Sequence, residues 1–259
     1  ELGLFSAGGS VSAEYAPKAT AAGCIVVDNT SYFRNDPEIP LIVPEVNLHA
    51  LDQHQGIIAN PNCSTIQMVV ALKPIYDAVG IHRINVATYQ AVSGAGRRAI
   101  EELASQTAAL LNGKKPAMEV MPKQIAFNVI PEIDSFQDNG YTREEMKMVW
   151  ETRKILEDET LMINPTTVRV PVFFGHSEAV HLETRDAVTA AEVRQLLSVA
   201  PGVTVIDDHT SGGYPTAVTE AAKQDGVFVG RIREDISCDR GINLWIVSDN
   251  VRKGAALNS

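Results

Sequence analysis

One of the three cysteines lies where a protein could activate a thiol as a nucleophile. Cys63 follows the turn-forming segment Asn60-Pro61-Asn62, and from Ser64 onward apolar side chains recur at helical spacing. A cysteine at a helix N-terminus lies beside free backbone N–H groups and the positive end of the helix dipole, and both stabilise its thiolate. The position favours a nucleophile, although many free cysteines are simply small buried hydrophobic residues.

An arginine and a histidine follow each other in a later strand-like segment. Arg169 is the only charged residue in Val168–Phe173, and a charge buried in a strand requires an anionic partner. That partner is either a protein carboxylate or a substrate carboxylate held by the guanidinium fork. His176 would face the opposite way in a straight strand, so we expect a bulge at Phe174-Gly175 to bring both side chains to one face.

Other polar residues are candidates for the same site, each with an ordinary structural alternative. Gln90 ends a predicted strand just before a Ser-Gly-Ala-Gly loop. Glu144 and Lys147 share a face of a predicted helix, and Arg34 lies in a polar turn. Taken alone, these last three are most simply explained as solvated surface residues. No metal site is expected, because the spacing of His176 and His181 fits no helical pair and no acidic third ligand is evident.

The elements that would position these residues fall into two groups. The first is a strand, a Gly-rich turn, a helix and a second strand, which predicts a parallel βαβ unit. Its elements are strand Leu2–Phe5, helix Val11–Ala22 with Ser10 or Ser12 as N-cap, and strand Cys24–Val27. Its turn could approach a nucleotide, but it lacks the Gly-x-Gly-x-x-Gly pattern.

The second group mixes helices with strands joined by short loops, which predicts a second domain with a largely antiparallel or mixed sheet. A capping-box pattern at Thr142 predicts the start of a helix that runs to about Glu157. A strand over Thr166–Val172 is expected to continue as Ala179–Thr184. The remaining predictions are helices Ser64–Val79, Arg97–Leu111 and Thr189–Val199, and strands Ile57–Ala59, Arg83–Tyr89, Val203–Asp207, Val227–Arg233 and Ile242–Val247.

Composition narrows the class of protein. The 259 residues carry a net charge of -10, which argues against general binding to nucleic acid or anionic membranes but allows a local cationic pocket. No apolar run is long enough to span a bilayer, and no signal peptide is visible. Three widely spaced cysteines form no disulfide framework. A reducing cytoplasm is the expected location.

Seven stretches, in this order, are similar to the aspartate-β-semialdehyde dehydrogenase family, and together they cover nearly the whole chain. They are Leu4-Phe-Ser-Ala-Gly-Gly-Ser, Pro40-Leu-Ile-Val-Pro-Glu-Val-Asn, Asn60-Pro-Asn-Cys-Ser, Tyr89-Gln-Ala-Val-Ser-Gly, Glu144-Glu-Met-Lys, Arg169-Val-Pro-Val-Phe-Phe-Gly-His and Asp249-Asn-Val-Arg-Lys-Gly. Each stretch alone is a weak signal, but their shared order makes a specific match. The resemblance implies an oxidoreductase on the biosynthetic route to lysine, methionine and threonine, including its diaminopimelate branch.

The implied reaction is NADPH-dependent reduction of L-aspartyl-4-phosphate to L-aspartate 4-semialdehyde with release of phosphate. By resemblance, Cys63 is the acylated nucleophile that forms a thioester, His176 is the acid/base and Gln90 orients the intermediate. A histidine pKa near neutrality would suit that proton transfer. The implied substrate and phosphate contacts are Arg169, Glu144, Lys147, Arg34 and Asn62. The implied cofactor contacts are Ala7, Gly8, Gly9, Ser93, Gly94 and Asn250.

The resemblance also implies an α/β fold like that of glyceraldehyde-3-phosphate dehydrogenase. Residues 1–62 would be part of a Rossmann-type dinucleotide-binding domain, and 63–247 an α+β catalytic and dimerisation domain with a mixed sheet. Residues 248–259 would begin a helix that returns to the first domain. We expect the main NADP phosphate loop before Glu1 and a homodimer or homotetramer formed through the catalytic domain.

Three other interpretations remain open at this point. A related phosphorylating aldehyde dehydrogenase, such as N-acetyl-glutamyl-phosphate reductase, would share the architecture, but Asn60-Pro-Asn-Cys-Ser and Arg169-Val-Pro-Val-x-x-Gly-His argue against it. A cofactor-free Cys–His acyl-transfer hydrolase would hydrolyse thioesters without a nicotinamide. A non-enzymatic assembly domain would associate without any reaction at Cys63.

Overall fold

Two β-sheets of different character organise the chain. A computed structural model describes residues 1–259. The first sheet is entirely parallel and has the order β1-β2-β3, formed by Leu2–Phe5, Ile25–Asp28 and Ile57–Ala59. Helix α1 (Gly9–Ala21) connects β1 to β2. The predicted βαβ unit is therefore present, with its Gly-rich turn at the carboxyl end of β1.

The predicted N-cap of α1 is wrong. The helix starts after Gly8, whose φ of 109° suits a glycine, and no side chain caps it. Ser12 instead lies fully buried and donates a hydrogen bond of 2.7 Å to Asp28. The serine hydroxyl therefore links α1 to the end of β2, and the N-terminus of α1 keeps free backbone donors.

The second sheet has six strands and is mixed, as predicted. In order across the sheet, its strands are β5 (Met162–Arg169), β4 (Ile81–Gln90), β6 (His176–Thr184), β9 (Gly241–Ser248), β8 (Val227–Glu234) and β7 (Val203–Val205). The two outer pairs, β4 with β5 and β7 with β8, are parallel, and the inner pairs are antiparallel. This arrangement places the carboxyl ends of β4 and β5 beside the start of β6.

The expectation that one strand continues from Arg169 through a bulge to His176 is wrong. Strand β5 ends at Arg169, and Pro171 in the following turn has no N–H to donate to a ladder. Gly175, with φ 88°, lies where a Cβ would be 2.6 Å from the Ala217 carbonyl oxygen. The chain then returns as β6 on the opposite side of β4, so strand order rather than a bulge brings Arg169 and His176 together.

Six α-helices accompany the sheets. Besides α1 they are α2 (Pro44–Asn47), α3 (Cys63–Val79), α4 (Arg97–Leu111), α5 (Arg143–Leu156) and α6 (Ala190–Ser198). The predicted capping box at Thr142 is present, and α6 begins after Thr189, which forms a second capping box that was not predicted. The helix expected after Asp249 is only a short π-helical turn, Arg252–Ala256, with i→i+5 hydrogen bonds such as Ala256 N–H to the Val251 carbonyl.

Helix α3 is the centre of the main core. Apolar side chains point outward all around its first three turns, among them Ile66, Met68 and Val69, as expected for a helix buried on every side. They pack against the core-facing strand residues of the second sheet, including Val180 and Leu182. The catalytic candidate at its N-terminus is thus held by the most deeply buried helix. No helix is long and apolar enough to cross a membrane.

Candidate active site

Cys63 is the first residue of α3, directly after the carboxyl end of β3. The preceding Asn62 is the N-cap, and its Oδ1 accepts hydrogen bonds from the N–H groups of Ser64 (3.0 Å) and Thr65 (3.4 Å). Gly254 in the C-terminal segment lies over Cys63, since a Cβ there would come within 2.7 Å of the Cys63 Cβ. The N-cap residue Asn62 therefore fixes the backbone around Cys63, and Gly254 packs against the Cys63 side chain.

Cys63 opens into a cavity of about 580 Å³. All residues expected to act in catalysis or to bind substrate line this cavity, together with three of the expected cofactor contacts. They are Arg34, Asn62, Cys63, Gln90, Ser93, Gly94, Glu144, Lys147, Arg169, His176 and Asn250. Ala7, Gly8 and Gly9 do not line it and lie where β1 leads into the start of α1.

Glu144 is the hub of the polar contacts in the cavity wall. One carboxylate oxygen accepts hydrogen bonds from the side-chain amides of Asn62 (2.8 Å) and Gln90 (3.1 Å). The other pairs with Lys147 at 3.1 Å. Burial would raise the pKa of Glu144, but Lys147 and the hydrogen bonds from Asn62 and Gln90 together outweigh burial and lower it. The carboxylate is therefore ionised, and it joins β4, α5 and the cap of α3.

Lys147 bridges two carboxylates. Its Nζ lies 2.8 Å from Asp134 and 3.1 Å from Glu144, and the side chain is about 15% exposed at the cavity wall. Burial would lower its pKa, but Glu144 and Asp134 together raise it. The pair predicted from helical spacing is thus a cavity-wall pair and not a solvated surface pair.

Arg34 lies in the same wall and forms a buried ion pair with Glu151. Its Nη1 lies 3.2 Å from Glu151 Oε1, and its Nη2 donates to the Asn29 carbonyl at 3.0 Å. The second oxygen of Glu151 accepts the backbone N–H of Asn62 at 2.6 Å. Sequence reasoning missed Glu151, although its position one turn after Lys147 on α5 would have put it on the same helix face.

Arg169 and His176 flank the end of β4. Gln90 is in register with Arg169 on one side, and Tyr89 is in register with Ser177 on the other. Arg169 forms no salt bridge, and its Nη1 donates to the Ala91 carbonyl at 2.8 Å. A Cβ on Gly94 would lie 2.9 Å from Arg169 Nη1 and 3.3 Å from His176 Nε2. A glycine at this position therefore allows both side chains to reach the cavity.

His176 is held as a neutral ring with its proton on Nε2. Its Nδ1 accepts the Ala91 backbone N–H at 3.0 Å, while Nε2 has no partner in the protein. Burial and then the positive charge of Arg169 lower the pKa of His176 to about 3. The near-neutral pKa expected from sequence is therefore wrong for this arrangement, and Nε2–H is available as a donor.

The ionisation of Cys63 also departs from the sequence expectation. Burial, with a further contribution from Glu144, raises the pKa of the thiol to about 12, while Arg169 and Arg34 oppose the rise. The helix N-terminus alone does not stabilise the thiolate enough, because desolvation of the charged form costs more. Cys63 therefore stays protonated near neutral pH, and a positive charge placed beside Glu144 would make its ionisation easier.

Ser93 and Asn250 form the opposite rim of the cavity. Ser93 Oγ and the Asn250 side chain are within hydrogen-bond distance, and Asn250 Oδ1 accepts the Gly175 N–H at 2.9 Å. These contacts join the loop after β4, the turn before β6 and the segment after β9. No group of three or more His, Cys, Asp or Glu side chains is placed to hold a metal ion.

Two domain families match the chain. Residues 1–54 match the NAD binding domain of semialdehyde dehydrogenases, and residues 72–253 match their dimerisation domain. The first range contains strands β1 and β2 of the parallel sheet, and the second contains the whole mixed sheet.

Relatives and solved structures agree with these matches. The chain is 66% identical over 261 residues to aspartate-semialdehyde dehydrogenase of Legionella pneumophila, covering all of this chain and 75% of the relative. The structure of aspartate semialdehyde dehydrogenase II from Vibrio cholerae, complexed with ASA, superposes with a TM-score of 0.97 at 59% identity, covering all of this chain and 76% of that one. The Candida albicans enzyme with NADP has a TM-score of 0.74 at 25% identity, covering 96% of this chain and 72% of that one.

Proposed function

This chain belongs to the aspartate-semialdehyde dehydrogenase family, and we propose how the residues of its cavity carry out the family's reaction. The reaction is the reduction of L-aspartyl-4-phosphate to L-aspartate 4-semialdehyde with release of phosphate, in amino-acid biosynthesis. The observation that carries the proposal is the single cavity that joins Cys63 to Arg169, Lys147, Arg34 and His176. A thiol surrounded by separate cations suits a substrate that has both a carboxylate and an acyl phosphate.

Arg169 is proposed to bind the substrate carboxylate. The side chain is 7% exposed and forms no salt bridge with a protein carboxylate, so the anionic partner that a buried guanidinium requires is left to the substrate. Its Nη1 bond to the Ala91 carbonyl fixes the orientation of the fork. A fixed fork gives bidentate recognition and discriminates against uncharged aldehydes.

Glu144 is proposed to bind the substrate ammonium. Because Glu144 raises the pKa of Cys63, an ammonium beside this carboxylate offsets that effect and makes the thiolate easier to form. Cys63 releases its proton to solvent as the thiolate forms. The thiolate then attacks the acyl carbon, forming the S–C bond as the C–O bond to phosphate breaks and the electron pair leaves with phosphate. Substrate binding would thus activate its own nucleophile.

Lys147 and Arg34 are proposed to hold the departing phosphate. Each is paired with a carboxylate, Lys147 with Glu144 and Arg34 with Glu151. These pairs fix the cations in position, and cations fixed before the reaction stabilise charge that develops on the leaving group. Asn62 and Gln90, both bonded to Glu144, would keep the acyl group oriented above α3.

The cofactor is proposed to be NADP, bound between the two sheets. When bound as NADPH it supplies the hydride that reduces the thioester. The Ala7-Gly8-Gly9 turn fits a nucleotide because a Cβ on Gly8 would meet no atom within 4 Å and α1 has no side-chain cap. Ser93, Gly94 and Asn250 would contact its nicotinamide end. His176 Nε2–H would donate a hydrogen bond to the substrate oxygen and stabilise the negative charge that develops there.

We propose that the chain has three parts. Residues 1–62 are the dinucleotide-binding part, residues 63–247 are the catalytic and dimerisation part, and residues 248–259 return to the first part. The return is supported by Asn258, whose side chain donates to the Ile42 carbonyl (2.9 Å) and to Asn60 (2.7 Å).

Three free cysteines support a cytoplasmic location, where thiols stay reduced.

The proposed function is tested by NADPH formation from aspartate semialdehyde, NADP and phosphate, followed as absorbance at about 340 nm. Because this chain spans about three quarters of its relatives, the assay uses the full-length protein. We expect Cys63→Ala to abolish phosphate-dependent NADPH formation and Cys238→Ala, at another free cysteine, to leave it unchanged. Nicotinamide-independent thioester hydrolysis would contradict the proposal and favour a Cys–His hydrolase.

A further inference from the structure

A second row of polar side chains lies directly below the catalytic residues. On the core face of the mixed sheet, Thr88 is two residues before Gln90, and Thr167 is two residues before Arg169. Glu178 is two residues after His176. Across the sheet, Thr88 is in register with Glu178 on one side and with Thr167 on the other. Side chains two residues apart on a strand share a face of the sheet. Each residue of this polar row therefore lies next to one catalytic-site residue on the same face, one step further from the cavity.

Helix α3 contributes to the same row. Gln67 follows Cys63 by one helical turn, so it lies below the nucleophile on the same face. Its side-chain amide is close enough to the Glu178 carboxyl to lower the pKa of that group. Gln67 and Glu178 therefore meet between α3 and β6, one level below Cys63 and His176.

The row is sealed from solvent on every side. Gln67 is 1% exposed, and Thr88, Thr167 and Glu178 are fully buried. The next level down is apolar and includes Val86, Val180 and Leu244. The catalytic residues thus rest on a buried polar layer and not directly on the hydrophobic core.

Glu178 is the unusual member of this layer. Neither of its oxygens, and neither polar atom of Gln67, makes a hydrogen bond of good geometry in this conformation. Burial raises the pKa of Glu178 well above its ordinary value. An ionised carboxylate without a cationic partner would be very costly here, whereas a neutral carboxylic acid has an O–H to donate to the Gln67 amide oxygen.

We propose that Glu178 is a positioning residue of the reaction, whose neutral carboxyl, together with Gln67, fastens β6 below His176 to α3 below Cys63. The inference rests on the proposed function. Gln67 is four residues from the nucleophile along a rigid helix, and Glu178 two residues from the histidine along a strand. Their contact therefore sets the separation between Cys63 and the Nε2–H group of His176, and catalysis is sensitive to such displacements.

The test compares three variants of the full-length protein in the NADPH assay. Glu178→Met keeps the volume but removes both polar functions, and we expect kcat to fall about tenfold while KM stays within about twofold. Glu178→Gln keeps a neutral donor and acceptor, and we expect a kcat within about twofold of the wild type. Val180→Ala, one level lower on the same face, is the packing control and should destabilise without lowering kcat.

Each result decides the proposal. A wild-type kcat in Glu178→Met would overturn it. An equal loss of kcat in Glu178→Gln and Glu178→Met would also overturn it, because a neutral amide would then be unable to replace the carboxyl group. If Glu178→Met does not fold, Gln67→Met tests the same contact from α3 and should show the same fall in kcat. A wild-type enzyme that forms no NADPH overturns the proposed function as well, whereas activity unaffected by either Met variant overturns the inference alone.

Discussion

At the scale of single residues, the charges around Cys63 act against one another. Glu144 raises the pKa of the thiol, and Arg169 and Arg34 lower it, while burial dominates both effects. A site that keeps its nucleophile protonated until substrate arrives protects the thiol from other electrophiles and from oxidation. The carboxylate that holds the thiol inactive is also the group proposed to bind the substrate ammonium.

Replacing Glu144 with glutamine should therefore make Cys63 more reactive toward small electrophiles while weakening substrate binding. Loss of the carboxylate lowers the pKa of Cys63, so the rate of alkylation by iodoacetamide near neutral pH should rise about three- to tenfold. In the enzymatic assay, KM for aspartate semialdehyde should increase. Glu101→Gln, at an exposed position on α4, is the control. Unchanged or slower alkylation of the Glu144→Gln variant would contradict this account.

The buried neutral state of His176 makes stability depend on pH in a defined direction. Its ordinary pKa is 6.5 and its folded pKa is about 3, so between these values the unfolded chain binds a proton that the folded chain does not. The free energy of unfolding should fall as the pH is lowered through this range. At about pH 5 the loss amounts to at most about 2 kcal/mol.

His176→Asn should remove this contribution, because asparagine can accept the Ala91 N–H but does not titrate. We expect urea denaturation at about pH 7.5 and about pH 5 to show a smaller difference in unfolding free energy for the variant than for the wild type. His82→Asn, at an exposed position of β4, serves as the control. The same pH dependence in wild type and His176→Asn would show that His176 is not held neutral.

At the scale of elements, α5 positions the part of the cavity wall that is proposed to hold phosphate. Glu144, Lys147, Glu151 and Lys154 recur at intervals that place them on one face of this helix. Three of them bind other cavity groups, and Lys154 donates from Nζ to the carbonyls of Arg34 (3.0 Å), Asp36 (2.5 Å) and Ile39 (2.7 Å). One helix therefore fixes both Lys147 and the turn that carries Arg34.

Lys154→Met should loosen the turn around Arg34 without touching the cavity directly. Three carbonyls would lose their donor, which costs about 1–3 kcal/mol of local stability. We expect tryptic cleavage after Arg34 to become about tenfold faster and KM for phosphate to increase while kcat changes less. Lys73→Met on α3, whose ammonium pairs only with Asp77, provides the matched control. A variant with wild-type cleavage and phosphate KM would show that α5 does not hold this turn.

At the scale of the whole molecule, the mixed sheet has one face without helices. From Ile84 to Gln90 the even-numbered residues of β4 are buried on the side of α3, whereas Asn85, Ala87 and Tyr89 on the other face are at least partly exposed. Tyr89 packs on Trp245 of β9 with ring centroids 5.7 Å apart. A partly aromatic sheet face of this kind suits an interface, and it belongs to the region that matches the dimerisation domain. We propose that a second copy covers it.

Trp245→Glu should weaken self-association, because it places a charge within this face while leaving the core side of β9 unchanged. We expect light scattering coupled to size-exclusion chromatography to show a shift toward monomer. Trp150→Glu changes an exposed tryptophan on the helical layer and should leave the mass unchanged. A Trp245→Glu variant with the wild-type mass would move the proposed interface to another surface.

Much of this protein could be predicted from local sequence. The turn before Cys63, the helix after it and the capping box at Thr142 depend on interactions between near neighbours, so their positions follow from a few residues. The seven stretches shared with the family also contain all the predicted site residues that line the cavity except Arg34. Local patterns were weaker where a boundary depends on distant contacts, as at Ser12, whose hydroxyl binds Asp28 instead of capping α1.

The tertiary structure alone decided how these residues act together. Strand order places Arg169 and His176 on either side of Gln90, and no local pattern encodes which strand lies between two others. Glu151 became part of the site only because α5 packs beside the cap of α3. The pKa values of Cys63 and His176 depend on burial and on charges from distant segments. Residue types and short elements are local properties of the chain, whereas desolvation and electrostatic coupling exist only once the chain is folded.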